Sequence, residues 1–148
     1  MAGPVNGRLA KTTNLPWTLD ADALETSLKI ERVRLINYFQ SVGYGVDALK
    51  SEDIVTLQQG AEKPRGARVI IGAGTGLGQG FLIWHEDHYE VVASEGGHTD
   101  FAPTDDDHVE LLRYLRRRYR WATWERAVSG CGLVNIFEFL VASRVALL

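Results

Sequence analysis

Arg68-Val69-Ile70-Ile71-Gly72-Ala73-Gly74-Thr75-Gly76-Leu77-Gly78 is the stretch whose reading decides the fold. Arg68-Val69-Ile70-Ile71 is short and nearly all apolar, as expected of a buried strand. The alternating glycines that follow read as a tight turn. In α/β proteins such a turn after a buried strand is where phosphates are placed. The run is not the dinucleotide fingerprint, because no triplet of its glycines satisfies G-x-G-x-x-G, and no Gly-Lys-Ser/Thr follows to make it a P-loop. It offers exposed N–H groups and the Thr75 hydroxyl, which can cradle a phosphoryl group through a backbone nest. On residues alone, a structural glycine turn and a phosphate site with Gly72, Gly74, Thr75 and Gly76 as contacts both remain open.

Downstream, Gly80 to Trp84 and Tyr89 to Ala93 flank Glu86-Asp87 and predict a hairpin. His85-Glu86-Asp87-His88 raises the question of a metal. The reading places the two histidines on opposite hairpin faces, and with no thiolate partner and no His-Glu-x-x-His helix it expects no metal site. Next comes Ser94-Glu95-Gly96-Gly97-His98-Thr99-Asp100-Phe101-Ala102-Pro103. Neither helical nor strand periodicity explains it. Its two glycines let the backbone bend so that Glu95 and His98 can point at one small ligand. An acid and an imidazole together suit a polyhydroxylated molecule, since each orients hydroxyls by accepting or donating hydrogen bonds.

A helix is expected from about Asp105 to Tyr119, with Thr104 and Asp107 resembling a capping box and Val109, Leu112, Leu115 and Tyr119 on one face. Arg116, Arg117, Arg118 and Arg120 crowd its negative end, which reads as helix-end complementation on a solvated face rather than as an anion site. A last helix is expected from near Leu133, carrying Val134, Phe137 and Leu140. Cys131, at what looks like a helix start, reads as a buried structural thiol. Upstream, Asn14 to Trp17 reads as a loop, and Thr18 or Asp20 as the N-cap of a short helix through Leu24 and Leu28. Val33 to Asn37 and Ile54 to Leu57 read as strands, Phe39 to Leu49 as a helix, and Gln58 to Gly66 as a polar connection.

The 148 residues suffice for a real core. Hydrophobic residues are 45%, charged residues 24% and the net charge −3. That balance gives no basis for nucleic-acid or membrane-surface binding. A single cysteine rules out an intrachain disulfide framework and fits a reducing cytoplasm. No stretch has the pattern of a signal peptide or the apolar length of a membrane span.

The loop from Ser94 to Pro103 closely resembles the sugar loop of bacterial-type ATP-dependent glucokinases. Gly72 to Gly78 upstream, and Glu125-Arg126-Ala127-Val128-Ser129-Gly130 downstream, fall in that family's order and spacing. The resemblance extends to about Leu140. It implies a partial ribonuclease-H-like, actin-like α/β fold in two lobes, with residues 1–70 part of the N-terminal lobe and 71–148 the start of the C-terminal lobe. By the same resemblance Gly72, Gly74, Thr75 and Gly76 belong to a phosphate motif for ATP, accompanied by Mg2+. Asn37, Glu95, His98 and Glu125 become glucose ligands, Glu125 on the anomeric side. Judged from its residues alone, Glu125 reads as a surface salt-bridge partner of Arg126 or Arg120.

One position departs from the family. Glucokinases carry Asn-Asp-Phe where this chain has Asn37-Tyr38-Phe39, so Tyr38 occupies the place of the aspartate base that takes the proton from the attacking 6-hydroxyl. A phenol titrates near pH 10 and is a poor base at neutrality. Against the family pattern the chain also looks cut at both ends, lacking an N-terminal Asp-Gly-Gly-Thr phosphate loop and C-terminal adenosine contacts. The resemblance therefore implies a cytoplasmic glucokinase-family polypeptide with impaired phosphoryl transfer. A non-catalytic sugar-binding or interaction module and a functionless gene fragment are the alternatives. An unpaired sheet edge invites self-association.

Overall fold

In the computed structural model, residues 3, 5–12, 15–61 and 63–145 are described. Asn14, part of the expected loop before Trp17, lies outside them. The chain divides into two compact units, Met1–Arg68 with Gly80–Ala93, and Val69–Gln79 with Ser94–Leu148.

The first unit opens with a small antiparallel sheet of β1 (Val5–Asn6), β2 (Leu9–Lys11) and β3 (Thr18–Asp20). Val5 pairs with Ala10 and Ala10 with Leu19, around a turn in which Gly7 takes a φ of +60° that disfavours any side chain. Asp20 then caps α1 (Ala21–Leu28), accepting from the amides of Asp22 and Ala23, while Thr18 stays in the sheet.

Val33 to Asn37 does not form the expected strand, nor does Ile54 to Leu57. The Val33 amide donates to the Glu25 carboxylate at 2.7 Å, its carbonyl accepts from Arg8, and the Asn37 amide donates to Gln40 Oε1 at 3.1 Å. Side chains thus take the bonds a ladder would need. The Val33 amide, and after it Arg8, hold the Glu25 carboxyl below the usual range. In the second case the β-rich segment finds no partner surface, for Val55 is 82% and Leu57 95% exposed.

Asn37 starts α2 (Tyr38–Gly45) through a capping box completed by Gln40, and a 3₁₀ turn (Val46–Ala48) continues it. The helix expected from Phe39 is therefore present, set by its cap. Gln40 Nε2 also reaches the Val91 carbonyl at 3.2 Å.

The second sheet has the order β4-β5-β6, from β4 (Arg68–Ala73), β5 (Leu77–His85) and β6 (His88–Ser94). β5 and β6 form the hairpin expected around Glu86-Asp87. Its two-residue turn makes His85 and His88 cross-strand neighbours, with ring centroids 6.3 Å apart, so they do not point to opposite faces. Each has its own carboxylate instead, Glu90 for His85 and Asp87 for His88.

In the second unit, α3 (Asp106–Arg118) is capped by Asp105, which accepts from the His108 amide at 2.8 Å, one position after the expected Thr104. It buries Leu111 and Leu115 rather than Val109. These pack with Phe101, Ala122 and Ala127, and the Phe101 and Trp124 rings meet edge to face at 4.9 Å. The short α4 (Trp124–Ala127) and α5 (Gly130–Val145) follow.

α5 turns a different face inward from the one its apolar pattern suggested. Val134, Phe137 and Leu140 are exposed, whereas Gly132 and Asn135 are buried. A Cβ at Gly132 would collide with the Ala127 backbone. Asn135 Nδ2 donates to the Arg126 carbonyl at 2.8 Å, and Asn135 Oδ1 accepts from the Tyr119 hydroxyl at 2.9 Å. Ile136 and Phe139 of the same face pack against the core, so the inward stripe is apolar around an Asn135 that satisfies a carbonyl near the end of α4. Cys131 is exposed, correcting its expected burial.

Candidate functional site

The second unit brings the glycine turn, the Glu95–His98 loop and Glu125 together. β4 continues to Ala73, so Gly72 lies within the strand and the turn itself is Gly74 to Gly76. The Gly74 amide donates to the Gly76 carbonyl at 2.8 Å, and the Gly74 carbonyl accepts from Gly130 at 2.8 Å. Space is open around Gly74, and Thr75 is exposed. A Cβ at Gly76, by contrast, would overlap the Glu125 carboxylate.

Glu125 is the hub of this arrangement. Its Oε2 accepts from the Leu77 amide at 3.0 Å, and its Oε1 stands 3.7 Å from His98 Nδ1. His98 Nε2 in turn lies 3.6 Å from Glu95 Oε2. Both imidazole distances exceed hydrogen-bond length, so all three side chains keep capacity for an outside hydroxyl. Glu125 is 25% exposed, against 60% for His98 and 78% for Glu95. One carboxylate is therefore preset by backbone, and the other two groups present to solvent. The residue-level reading of Glu125 as a salt-bridge partner of Arg126 or Arg120 is not what the structure shows.

The backbone beneath these groups is closely held. Gly96 and Gly97 begin a 3₁₀ turn (Gly96–His98), in which Gly97 presses on the Leu77 carbonyl so closely that a Cβ would clash. Thr99 Oγ1 donates to the Gly96 carbonyl at 2.7 Å. The Phe101 amide donates to Ala122 and the Trp124 amide to Thr99, joining the loop to the entry of α4. Buried Ser129 donates to the Glu125 carbonyl at 2.7 Å and accepts from Gly132 at 3.0 Å, fixing the helix turn that carries the carboxylate. Nothing in the sequence spacing shows that Ser129 and Asn135 are the braces. Their burial in the structure reveals them.

An open cleft of about 630 Å³ runs along this face, lined by His98, Asp100, Arg120, Trp121, Glu125 and Arg126 among others. Its size is within the usual range for small-ligand sites.

Asn37 and Tyr38 belong to the first unit. Asn37 Oδ1 accepts from the Phe39 amide at 2.7 Å and its Nδ2 donates to the Gly3 carbonyl at 3.1 Å. Tyr38 opens α2 and is 61% exposed.

The Gly74 and Leu77 amides are already engaged, which leaves the Thr75 and Gly76 N–H groups and the Thr75 hydroxyl as the turn's donors to a phosphate. Among the described residues no group of three or more His, Cys, Asp or Glu side chains is placed to hold a metal ion. The described residues thus build no cage for Mg2+, an ion that usually travels with substrate phosphates and water. Among the described residues no helix is long and apolar enough to cross a membrane.

The sequence profile of the glucokinase family matches residues 1–147, beyond the Leu140 limit of the motif resemblance. The chain is 47% identical over 142 residues to a glucokinase of Nostoc punctiforme, covering 95% of this chain and 42% of that one. It is 42% identical over 143 residues to the glucokinase of Zymomonas mobilis, covering 95% and 44%. Its structure is similar to a glucokinase from an Antarctic psychrotroph, with TM-score 0.82 and 26% identity over 97% of this chain and 44% of that one. It is also similar to the glucokinase of Balamuthia mandrillaris in complex with glucose, with TM-score 0.71 and 25% identity over 97% and 46%. The chain spans less than half the length of the curated relatives it matches.

Proposed function

The chain belongs to the glucokinase family, and from that premise we propose that it carries the hexose-recognition part of an ATP-dependent glucokinase site while lacking the base for phosphoryl transfer. The observation that supports this reading most is the Glu125 hub, one carboxylate preset by the Leu77 amide and facing His98. Preset acceptors favour hydroxyl binding because little ordering remains to be done when the sugar arrives. In this reading Glu95, His98 and Glu125 hold glucose hydroxyls, together with Asn37. Residues 1–70 and 71–148 are parts of the two lobes of an actin-like, ribonuclease-H-like kinase fold. Gly72, Gly74, Thr75 and Gly76 form the side facing the phosphates of ATP, with Gly72 acting through the strand that sets the turn. Its proposed ligands are glucose and ATP, and its proposed place the cytoplasm.

In glucokinases generally, the γ-phosphoryl of ATP passes to the sugar 6-hydroxyl, and an adjacent base accepts the hydroxyl proton. Here Tyr38 stands where that carboxylate is expected. A sugar-binding polypeptide without turnover is therefore favoured over an active kinase, and Tyr38 is the specific residue that favours it. Glucose at concentrations far above its dissociation constant should raise the melting temperature of the chain by mass action. A coupled assay with MgATP and glucose should meanwhile detect no glucose 6-phosphate. An unchanged melting temperature, or steady ATP-dependent product, would contradict the proposal.

A further inference from the structure

The cleft beside Glu125 contains two guanidinium groups that hexose binding does not use. Arg120 lies over the Trp121 ring, 4.4 Å from guanidinium carbon to ring centroid, and Arg126 lies over the Tyr119 ring at 4.2 Å. Among the described residues neither has a carboxylate within ion-pair distance. Arg118, at the end of α3, differs, being paired with Glu138. The arginine run therefore splits: α3 ends at Arg118, and Arg120 falls beyond it in the cleft lining. A ring face stabilises a guanidinium without accepting its fork of N–H donors, which stays available to a ligand.

Asn135 holds the backbone of Arg126 through its carbonyl, and the Tyr119 ring beneath the Arg126 guanidinium through its hydroxyl. The cleft's two acidic side chains are Glu125 and Asp100, and Glu125 is already engaged by the Leu77 amide. Acceptors for hydroxyls and unpaired donors for an anion thus share one cavity, whose volume of about 630 Å³ exceeds what a lone hexose fills. Paired guanidinium forks match phosphate oxygens in both charge and geometry.

We infer that this cleft binds a phosphorylated hexose, its ring hydroxyls on His98 and Glu125 and its phosphate held by Arg120 and Arg126. The inference rests on the hexose reading of His98 and Glu125 and adds the anionic subsite to it. The test is calorimetric titration of the 148-residue chain with glucose, glucose 1-phosphate, glucose 6-phosphate and inorganic phosphate. One of the two sugar phosphates should bind about tenfold more tightly than glucose, and more tightly than inorganic phosphate. The advantage should shrink as salt is raised. The Arg120→Gln/Arg126→Gln double variant should bring the ratio close to one. The Arg116→Gln/Arg117→Gln variant, with the same loss of charge, should preserve it.

Sugar phosphates no tighter than glucose, or an advantage that survives in the Arg120/Arg126 variant, would overturn the inference and leave glucose binding standing. Inorganic phosphate binding as tightly as the sugar phosphates would overturn it too, by removing the hexose contribution. Arginine-dependent binding of a sugar phosphate with no binding of glucose would uphold the subsite and contradict the glucose reading.

Discussion

In a chimaera that completes this chain to family length, Tyr38→Asp should raise the rate of glucose 6-phosphate formation about 10²–10⁴-fold, the range a positioned general base supplies. The substitution suits its place. Position 38 is the first residue of α2 and is largely exposed, and a carboxylate in the first turn complements the positive end of the helix. The Asn37 cap is made by its own side chain and by Gln40, so it does not depend on the phenol. In the 148-residue chain the same change should leave turnover undetectable, because two amides and a hydroxyl on the Gly74–Gly76 turn do not position a triphosphate. A coupled assay on four proteins, the short and the completed chain each with and without Tyr38→Asp, separates the two factors. Equal rates for the two completed proteins would show that the phenol is tolerated.

The second large effect lies at Gly97. An added methyl would meet the Leu77 carbonyl and side chain, which are backbone and buried core rather than a flexible tip. Gly97→Ala should therefore destabilise the unit by about 1–3 kcal/mol, through overpacking between the Glu95–His98 loop and the start of β5. Gly74→Ala is the matched control. A Cβ there meets nothing within 4 Å, and the residue has no positive φ, so the change should fall within about 0.5 kcal/mol of neutral. Urea unfolding of both variants against the parent gives the comparison. Equal stability of the two would mean that the loop and strand are not packed as described.

Why some of this was legible in the sequence, and some not, follows from where each signal resides. Hairpin β5–β6, the Asp20 cap and helix α3 are local, written in spacing and capping chemistry, and they appear where the residues suggest; the Asn37 cap lies where a strand end was expected. Val33–Asn37 alternates and Ile54–Leu57 is β-rich, yet a strand needs a neighbour. In the first segment Glu25, Arg8 and Gln40 take the backbone bonds instead. α5 turns a different face inward for a related reason: Gly132 and Asn135 fix its inward side, and Ile136 and Phe139 rather than Phe137 and Leu140 pack against the core.

The site divides in the same way. Glu95, His98 and Glu125 were named by motif, but that one carboxylate joins the glycine turn to the histidine is a tertiary fact. Arg120 and Arg126 were hidden for the opposite reason. The first sits in a helix-end charge cluster in the sequence, and the second beside Glu125, with which it forms no salt bridge. Only their aromatic seats in the cleft set them apart.

The central claim is that Glu95, His98 and Glu125 form one hexose site. Calorimetric titration of the 148-residue chain with glucose, beside its His98→Ala and Glu125→Gln variants, tests it most directly. The account predicts saturable one-to-one binding by the parent and a loss of about tenfold or more in affinity in each variant, as expected when a hydrogen bond involving a charged or imidazole group is removed. No saturable heat from the parent, or affinities unchanged in both variants, would contradict it.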